Sequence, residues 1–352
     1  MCRAALENSP EGKVIAASLA HGILLMLILP YCLLGFRRIW ECIGVGAGDT
    51  VHDSFPLGIH PIGQMIARSA QEVGAGVVWA GAGTTTPSVL QLELITSLKP
   101  TVWAGMSSYA LHLANLAEAQ GLDLAASTVR TLVCSAEQLT AAKRAKLERA
   151  WGARVYDTFG MTEGSMMAAE RDGVDGMRLW ADLFLVEVVD EVTGKPVADG
   201  EPGALVMTPL WSHTATPFLR WLSGDIVTLR WPEPDADPFS VFPVLKHAHR
   251  TSGFFKIRGV NVNHTELEDF MFRQAGVLDF RAELVTRQDR ELLRLLIEVV
   301  RSADATATRA TVTAAVKNTF EVMPEVEVLD LGTLAREFEA SVKAPRFVDR
   351  RQ

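Results

Sequence analysis

Short apolar segments alternate with helical segments between residues 48 and 156, and no other feature of the sequence restricts the fold as strongly. Residues recur at helical spacing in Ile62–Val73, and we predict three further helices at Val89–Leu98, Tyr109–Gln120 and Thr140–Trp151. The strands that we predict between and after them are short and apolar: Gly74–Trp79, Pro100–Gly105, Val129–Cys134 and Val155–Tyr156. Strands that alternate with helices of roughly 10–15 residues predict a parallel sheet with helices packed on it.

The pattern changes after Leu179, where strand segments follow each other without helices. Phe184–Asp190 and Gly203–Thr208 are predicted strands separated by a polar turn. A boundary near Arg250–Gly253 precedes about 100 residues in which strands and helices mix. We therefore predict an α/β amino-terminal domain over residues 1–249, with a β-rich part at about 180–249, and a small α+β domain over residues 250–352.

The charge of the chain argues against a nucleic-acid partner, and its cysteines argue against a structural zinc site. The 352 residues carry a net charge of −8, and no stretch is dense in lysine or arginine, which argues against a nucleic-acid partner. The four cysteines form no C-x-x-C pair and lie at no ligand spacing from a histidine, so we expect no structural zinc site. So few cysteines are compatible with a reducing compartment, and we expect a cytoplasmic protein.

Val14–Phe36 contains no Asp, Glu, Lys or Arg and ends at Arg37-Arg38. A run of this length can span a bilayer, and the two arginines would then place the rest of the chain on the cytoplasmic side. His21 and Pro30 favour a buried helix of the first domain instead, and the run lacks the basic start and cleavage site of a signal peptide. We expect the buried helix, with a membrane anchor and a sequence artefact as the alternatives.

The segment Tyr156-Asp157-Thr158-Phe159-Gly160-Met161-Thr162-Glu163 follows a predicted strand, where open parallel sheets bind ligands. Phe159 can stack on a purine, and Gly160 permits a tight turn. The Thr162 hydroxyl can reach a phosphate, and the Glu163 carboxylate can hold Mg²⁺. Taken alone, the octamer is also compatible with a turn that has no chemical role.

The octamer resembles the adenine-binding motif of the adenylate-forming superfamily, Tyr-x-x-aromatic-Gly-x-Ser/Thr-Glu, and its surroundings are similar to the phenylacetate–coenzyme A ligases. Cys134-Ser135-Ala136-Glu137-Gln138 resembles their Gly-Ala-Glu-Pro segment, and Pro217–Asp225 resembles the segment whose Asp binds the ribose hydroxyls. The resemblance implies that Asp225 binds ribose. It assigns a further set of residues to the nucleotide pocket, namely Ser135, Ala136, Glu137, Tyr156, Asp157, Phe159 and Gly160.

The match continues without a gap through Arg250–Glu268, which resembles the hinge and following loop of that family. It implies that Arg250 contacts the nucleotide and that Arg258, Gly259 and Asn261 belong to a loop facing the site when the thioester forms. Two family acids are replaced by Ser252 and Gly253, and a family proline by His264. The tail resembles the family's Lys-Ala-x-Arg-x-x-Asp-x-Arg ending. The resemblance implies that Lys343 is the catalytic lysine and lies on a mobile carboxyl-terminal domain. It also implies catalytic roles for Thr162 and Glu163.

The family's Ser/Thr/Gly-rich phosphate loop is hard to recognise here. The candidate, Asn8–Val14, places Glu11 where a triphosphate should lie and Pro10 where a backbone donor is needed. The resemblance predicts ATP-dependent activation of a carboxylic acid, of the aryl class, to an acyl-AMP with Mg²⁺, and transfer to coenzyme A. There are two alternatives: the acyl group is transferred to an acyl carrier protein, or the chain is a catalytically silent relative that binds nucleotide. The sequence does not decide the oligomeric state, and a homodimer is one option.

Overall fold

The computed structural model describes residues 31–58, 60–212, 217–233, 237–250, 254–257, 259–287, 290–341 and 345–351, and only the backbone of residues 248–250 and 290. Its first part alternates strands and helices as the sequence predicts. The strands are β1 (Thr50–Asp53), β2 (Gly76–Trp79), β3 (Val102–Gly105), β4 (Thr131–Cys134) and β5 (Arg154–Met161). The helices are α1 (residues 31–43), α2 (Ile62–Glu72), α3 (Ser88–Leu98), α4 (Ser107–Ala119) and α5 (Ala141–Trp151), with a 3₁₀ turn at Leu124–Ala126.

These five strands pair in parallel in the order β2-β1-β3-β4-β5, which confirms the predicted parallel sheet. All four residues of β3 are buried, because helices cover a parallel sheet on both faces. Helix α5 begins at the Thr140 side chain, which accepts a hydrogen bond from the Lys143 backbone N–H, and ends at Gly152 with φ of +60°.

Antiparallel pairing begins at β6 and extends the same sheet to eleven described strands, in the order β2-β1-β3-β4-β5-β6-β7-β11-β10-β9-β8. The added strands are β6 (Ser165–Glu170), β7 (Met177–Leu179), β8 (Phe184–Val189), β9 (Gly203–Pro209), β10 (Trp221–Arg230) and β11 (Val244–Arg250). Because β11 returns between β7 and β10, β10 and β11 lie closer to the parallel strands than their place in the sequence suggests.

The remaining residues form an α+β unit, as predicted. A hairpin of β12 (Phe254–Ile257) and β13 (Val260–Asn263) is followed by a sheet in the order β16-β15-β14-β17. Its elements are α6 (His264–Arg273), β14 (Val277–Arg287), β15 (Arg290–Val299), α7 (Ala305–Phe320), β16 (Pro324–Leu329), α8 (Arg336–Ala340) and β17 (Phe347–Asp349). Asn263 caps α6 by accepting hydrogen bonds from the Thr265 and Glu266 backbone N–H groups, and Asp304 caps α7 by accepting one from Ala307.

Of the apolar run Val14–Phe36, residues 14–30 lie outside the described part of the chain. The rest belongs to α1, where Phe36 and Trp40 are buried in the core and the Trp40 indole donates to Ser69 Oγ at 2.8 Å. Arg38 makes two hydrogen bonds to the Asp182 carboxylate, each 2.7 Å long. Within the described ranges, no helix is long and apolar enough to cross a membrane.

Charged side chains are buried where α5 meets the α+β unit. Lys143 Nζ lies 2.7 Å from Glu268 Oε1 of α6, and Arg346 Nε lies 3.4 Å from the same oxygen. Arg346 also forms an ion pair with Asp279, and Lys146 donates to the Val277 carbonyl at 2.9 Å. The Lys143–Glu268 ion pair and the Lys146 hydrogen bond therefore join the two parts of the chain through α5.

Candidate functional site

The octamer Tyr156–Glu163 lies where the sheet changes from parallel to antiparallel pairing. Residues 154–157 of β5 pair in parallel with β4, and residues 158–161 pair antiparallel with β6. The octamer was expected at a strand's carboxyl end, but its first six residues are part of β5, and only Thr162 and Glu163 lie in the turn to β6. The reason is that β6 continues the ladder along the second half of β5.

Gly160 is required by the close approach of β6. A Cβ atom at this position would lie 2.5 Å from the Ser165 carbonyl oxygen and 3.1 Å from the Met166 Cα. Any other side chain would push the two strands apart, so the glycine sets the geometry of the turn that carries Thr162 and Glu163.

Three side chains from distant parts of the sequence meet at the second half of β5. The Phe159 and His247 rings lie with centroids 5.6 Å apart and planes tilted by 34°. His247 Nε2 lies 3.0 Å from Asp225 Oδ1, and Asp225 is only 2% exposed. Phe159 offers an aromatic face that suits a flat base, and Asp225 offers a buried carboxylate that suits a pair of vicinal hydroxyls. His247 contacts both side chains.

The structure thus brings Phe159 and Asp225 together and adds His247, which the sequence analysis missed. Strands β10 and β11 pair with Asp225 opposite Arg250, and His247 lies three residues before Arg250. That position ahead of the recognised Arg250–Glu268 segment is the only sequence signal that could have pointed to His247.

Ser135, Ala136 and Glu137 form a fixed turn after β4. Ser135 Oγ donates to the Thr158 carbonyl at 3.2 Å, and Ala136 has φ of +68°. The Glu137 carboxylate accepts hydrogen bonds from Ser107 Oγ, Ser108 N and Ser108 Oγ at 3.0, 2.8 and 2.5 Å. The segment is therefore held against both β5 and the amino terminus of α4.

The ionisation of Glu137 follows from these contacts. Burial opposes the charged form, but the nearby Lys143 ammonium and the Ser108 hydrogen bonds outweigh it and hold the pKa of Glu137 below its usual value. Glu137 is therefore a partly buried anion, and its negative charge faces a helix amino terminus.

Tyr156 and Asp157 lie toward the amino end of β5. The Tyr156 hydroxyl donates to Asp172 Oδ1 at 2.6 Å, and burial raises the pKa of Tyr156 to about 12. Burial, together with the charge of Glu170, raises the pKa of Asp157 to about 8. The Asp157 backbone N–H also donates to Glu170 Oε2 at 2.8 Å. The place of Tyr156 and Asp157 in the nucleotide pocket stays a prediction.

Thr162 is exposed and Glu163 is half-buried in the turn after β5. Their hydroxyl and carboxylate oxygens are hard donors of the kind that Mg²⁺ prefers. No group of three or more His, Cys, Asp or Glu side chains within the described ranges could hold a metal ion. A metal at Glu163 stays a prediction, and it would need oxygens supplied by a ligand.

The predicted residues of the α+β unit are only partly described. Lys343 and Arg258 lie outside the described residues, as do Ser252, Gly253 and the candidate phosphate loop Asn8–Val14. Arg250 is described by its backbone alone.

Gly259 turns the β12–β13 hairpin with φ of +89°, and Asn261 is exposed on β13. His264, which replaces the family proline, begins α6 and stacks on Phe347 with ring centroids 4.3 Å apart.

Comparisons with known proteins show which sequences and structures this chain is similar to. The sequence model of the AMP-binding enzymes matches residues 34–209. The phenylacetate–coenzyme A ligase of Pseudomonas putida is 32% identical over 238 residues, which are 66% of this chain and 52% of that protein. The chain thus spans about half the length of this curated relative.

Solved structures of 2-hydroxyisobutyryl-CoA ligase are also similar. Its postadenylation state in complex with 2-HIB-AMP has a TM-score of 0.79 at 26% identity, covering 91% of this chain and 69% of that one. Its thioesterification state with 2-HIB-AMP and CoA has a TM-score of 0.60 at 27% identity, covering 92% and 69%.

Proposed function

This chain belongs to the family of AMP-binding enzymes, and from that premise we propose that it activates a carboxylic acid of the aryl class with ATP and transfers the acyl group to coenzyme A. In the first step a carboxylate oxygen attacks the α-phosphorus of ATP, and the bond to pyrophosphate breaks. In the second step the coenzyme A thiol attacks the acyl carbon, AMP leaves, and the thiol proton passes to solvent.

The observation that carries the proposal is the convergence of Phe159, His247 and Asp225 at β5, the strand that leads into the turn at Thr162 and Glu163. We assign the adenine to the face of Phe159 and the ribose hydroxyls to Asp225. A buried carboxylate suits two hydroxyl donors because charge-assisted hydrogen bonds are strong. The relatives that the chain resembles are named as coenzyme A ligases, which supports the same reaction class.

Roles for the other residues follow from the resemblance and are part of the proposal. Arg250 contacts the nucleotide, and Arg258, Gly259 and Asn261 face the site during thioester formation. Lys343 neutralises the negative charge that accumulates at the α-phosphate as pyrophosphate leaves. These roles divide the chain into an AMP-binding domain over residues 1–249 and a mobile lid over 250–352.

Magnesium enters as the ion that accompanies ATP. Glu163, with the Thr162 hydroxyl nearby in the chain, supplies the protein side of such a site, because Mg²⁺ is commonly held by one or two carboxylates together with substrate phosphates. The ion would offset the negative charge of the phosphates. We propose a cytoplasmic location, and a homodimer remains an option for the assembly.

The phosphate-loop candidate supports a second function. Glu11 and Pro10 weaken Asn8–Val14 as a cradle for a triphosphate. A relative that binds AMP or an acyl-adenylate without fast activation would retain the adenosine side of the site. The third alternative replaces coenzyme A with an acyl carrier protein as the acceptor.

Pyrophosphate release with ATP and a panel of aryl acids separates these functions. We expect release with at least one acid, followed by thioester formation when coenzyme A is added. Lys343→Ala should slow release without preventing AMP binding, measured by calorimetry. AMP binding with no release for any acid would identify the silent relative and reject the enzyme. Release that yields no coenzyme A thioester but does acylate a carrier protein would reject coenzyme A as the acceptor.

A further inference from the structure

The short helix α8, near the end of the α+β unit, is seated on the amino-terminal domain. Phe338 is 4% exposed, and its ring stacks on His112 with centroids 5.3 Å apart and planes 16° apart. The same ring lies 5.8 Å from Tyr109. A Cβ atom on Gly83 would lie 2.6 Å from the Phe338 carbonyl oxygen, so α8 lies directly against the backbone between β2 and α3.

Glu339 completes a buried polar network in the amino-terminal domain. Ser88 Oγ lies 3.0 Å from the Tyr109 hydroxyl and 3.1 Å from His112 Nε2, and all three residues are at most 4% exposed. Glu339 Oε1 accepts the Ser88 backbone N–H at 3.2 Å, at the first residue of α3, and lies 3.9 Å from His112 Nε2. We call Gly83, Ser88, Tyr109 and His112 the α8 seat.

The seat is one of two anchors on either side of Lys343. On the carboxyl side, Arg346 is buried between Glu268 and Asp279, and Glu268 contacts Lys143 of the amino-terminal domain. Glu339 and Arg346 are seven positions apart in the sequence, and Lys343 lies between them.

We propose that Phe338 and Glu339 are positioning residues for acyl-adenylate formation, because their contact with the α8 seat fixes the domain orientation from which Lys343 acts. This rests on the proposed function, and in particular on the role of Lys343. The overall arrangement is more similar to the postadenylation state of 2-hydroxyisobutyryl-CoA ligase, at a TM-score of 0.79, than to its thioesterification state, at 0.60. We therefore assign the contact between α8 and its seat to the half-reaction that forms the acyl-adenylate, and not to the one that forms the thioester.

The test uses Phe338→Ala, Glu339→Ala and Glu339→Gln in the full chain. Glu337→Ala is the matched control, because Glu337 lies on the same helix but pairs with Arg281 of β14 within the α+β unit. Three quantities are measured: pyrophosphate release with ATP and phenylacetate, thioester formation from phenylacetyl-adenylate and coenzyme A, and hydrogen exchange at the Ser88 amide without substrates.

We expect Phe338→Ala and Glu339→Ala to lower kcat for pyrophosphate release by about tenfold to a hundredfold, since small misplacements of catalytic groups have effects of this size. The KM for ATP and the rate of thioester formation from the adenylate should change less than about twofold, since neither depends on Lys343. Glu339→Ala should speed exchange at Ser88 while Glu339→Gln retains most of the protection, because an amide oxygen still accepts the hydrogen bond. Glu337→Ala should leave all three quantities near wild type.

Equal slowing of both half-reactions would overturn the proposal, as would an effect of Glu337→Ala equal to that of Glu339→Ala. Unchanged pyrophosphate release in an active protein rejects the positioning role alone. If the wild type releases no pyrophosphate with any acid, the proposed function fails and the positioning role fails with it. Exchange at Ser88 then still shows whether Glu339 holds the domain, and unaltered exchange in Glu339→Ala rejects the seat itself.

Discussion

Replacing Lys143 with methionine tests how the buried ion pairs stabilise the protein. The charges around α5 include the cations Lys143, Lys146 and Arg346 and the carboxylates Glu137, Glu268 and Asp279. Lys143 has a side chain that is 2% exposed and lies 2.7 Å from Glu268, whose side chain is 8% exposed. Methionine fills a similar volume but leaves one negative charge uncompensated.

The expected loss in the free energy of unfolding depends on the contacts that Glu268 and Glu137 keep in the variant. Breaking a buried pair by removing one partner costs about 3–5 kcal/mol. Glu268 keeps Arg346 at 3.4 Å, and Glu137 keeps its hydrogen bonds to Ser107 and Ser108, so we expect the lower end, a loss of about 3 kcal/mol in the free energy of unfolding. The double variant Lys143→Met, Glu268→Gln restores the charge balance and should recover about 1–2 kcal/mol of this loss.

Urea denaturation followed by far-UV circular dichroism measures these differences. All eight tryptophans precede residue 250, so tryptophan fluorescence reports separately on the amino-terminal domain. Arg287→Met is the matched control, because it removes a cation from a pair with Glu325 whose side chains are 58% and 45% exposed, and we expect a loss below about 1 kcal/mol. A Lys143→Met protein as stable as the control, or a double variant no more stable than the single one, would refute the reasoning.

Three further outcomes are expected. Gly160→Ala should weaken AMP binding, measured by calorimetry, because its Cβ would lie 2.5 Å from the Ser165 carbonyl; unchanged affinity would show that the hairpin adapts. Phe159→Ala should weaken AMP binding by about 1–2 kcal/mol through lost stacking, whereas an unaltered affinity would remove adenine from this face. Burial lowers the pKa of His52 to about 4, so the unfolded chain binds more protons between about pH 6.5 and 4. The free energy of unfolding should therefore fall by about 3 kcal/mol as the pH is lowered through this window. Denaturation curves at several pH values measure this loss, and the part that is due to His52 should be absent in His52→Leu.

Much of the fold was predictable because its signals are local. The helix at Ile62–Glu72 has an apolar face, the helix at Ala141–Trp151 lies between the Thr140 cap and Gly152, and the neighbouring strands β2 and β4 are short and apolar. The extent of β5 was not predictable, because its second half is a strand only through pairing with β6. Glycine at position 160 looked like a turn residue, yet its role is to let a neighbouring strand approach.

In the candidate site, too, some residues could be predicted from the sequence but their proximity could not. Phe159 and Asp225 could be named from the order of the motifs, but their proximity depends on the sheet order that returns β11 between β7 and β10. His247 joins them for the same reason and has no motif of its own. Lys143 and Glu339 belong to none of the motifs quoted above, and only the packing of the α+β unit against α5 and α3 gives them partners.

The sequence by itself determined the alternation of strands and helices, the α/β and α+β parts and the family resemblance, since these depend on local periodicity and on residue order. The tertiary structure decided where β5 changes from parallel to antiparallel pairing, which side chains meet beside it, and which charges are buried between α5 and α6. These features arise from contacts between residues far apart in the chain, and such contacts exist only once the sheet order and the packing of the two parts are set.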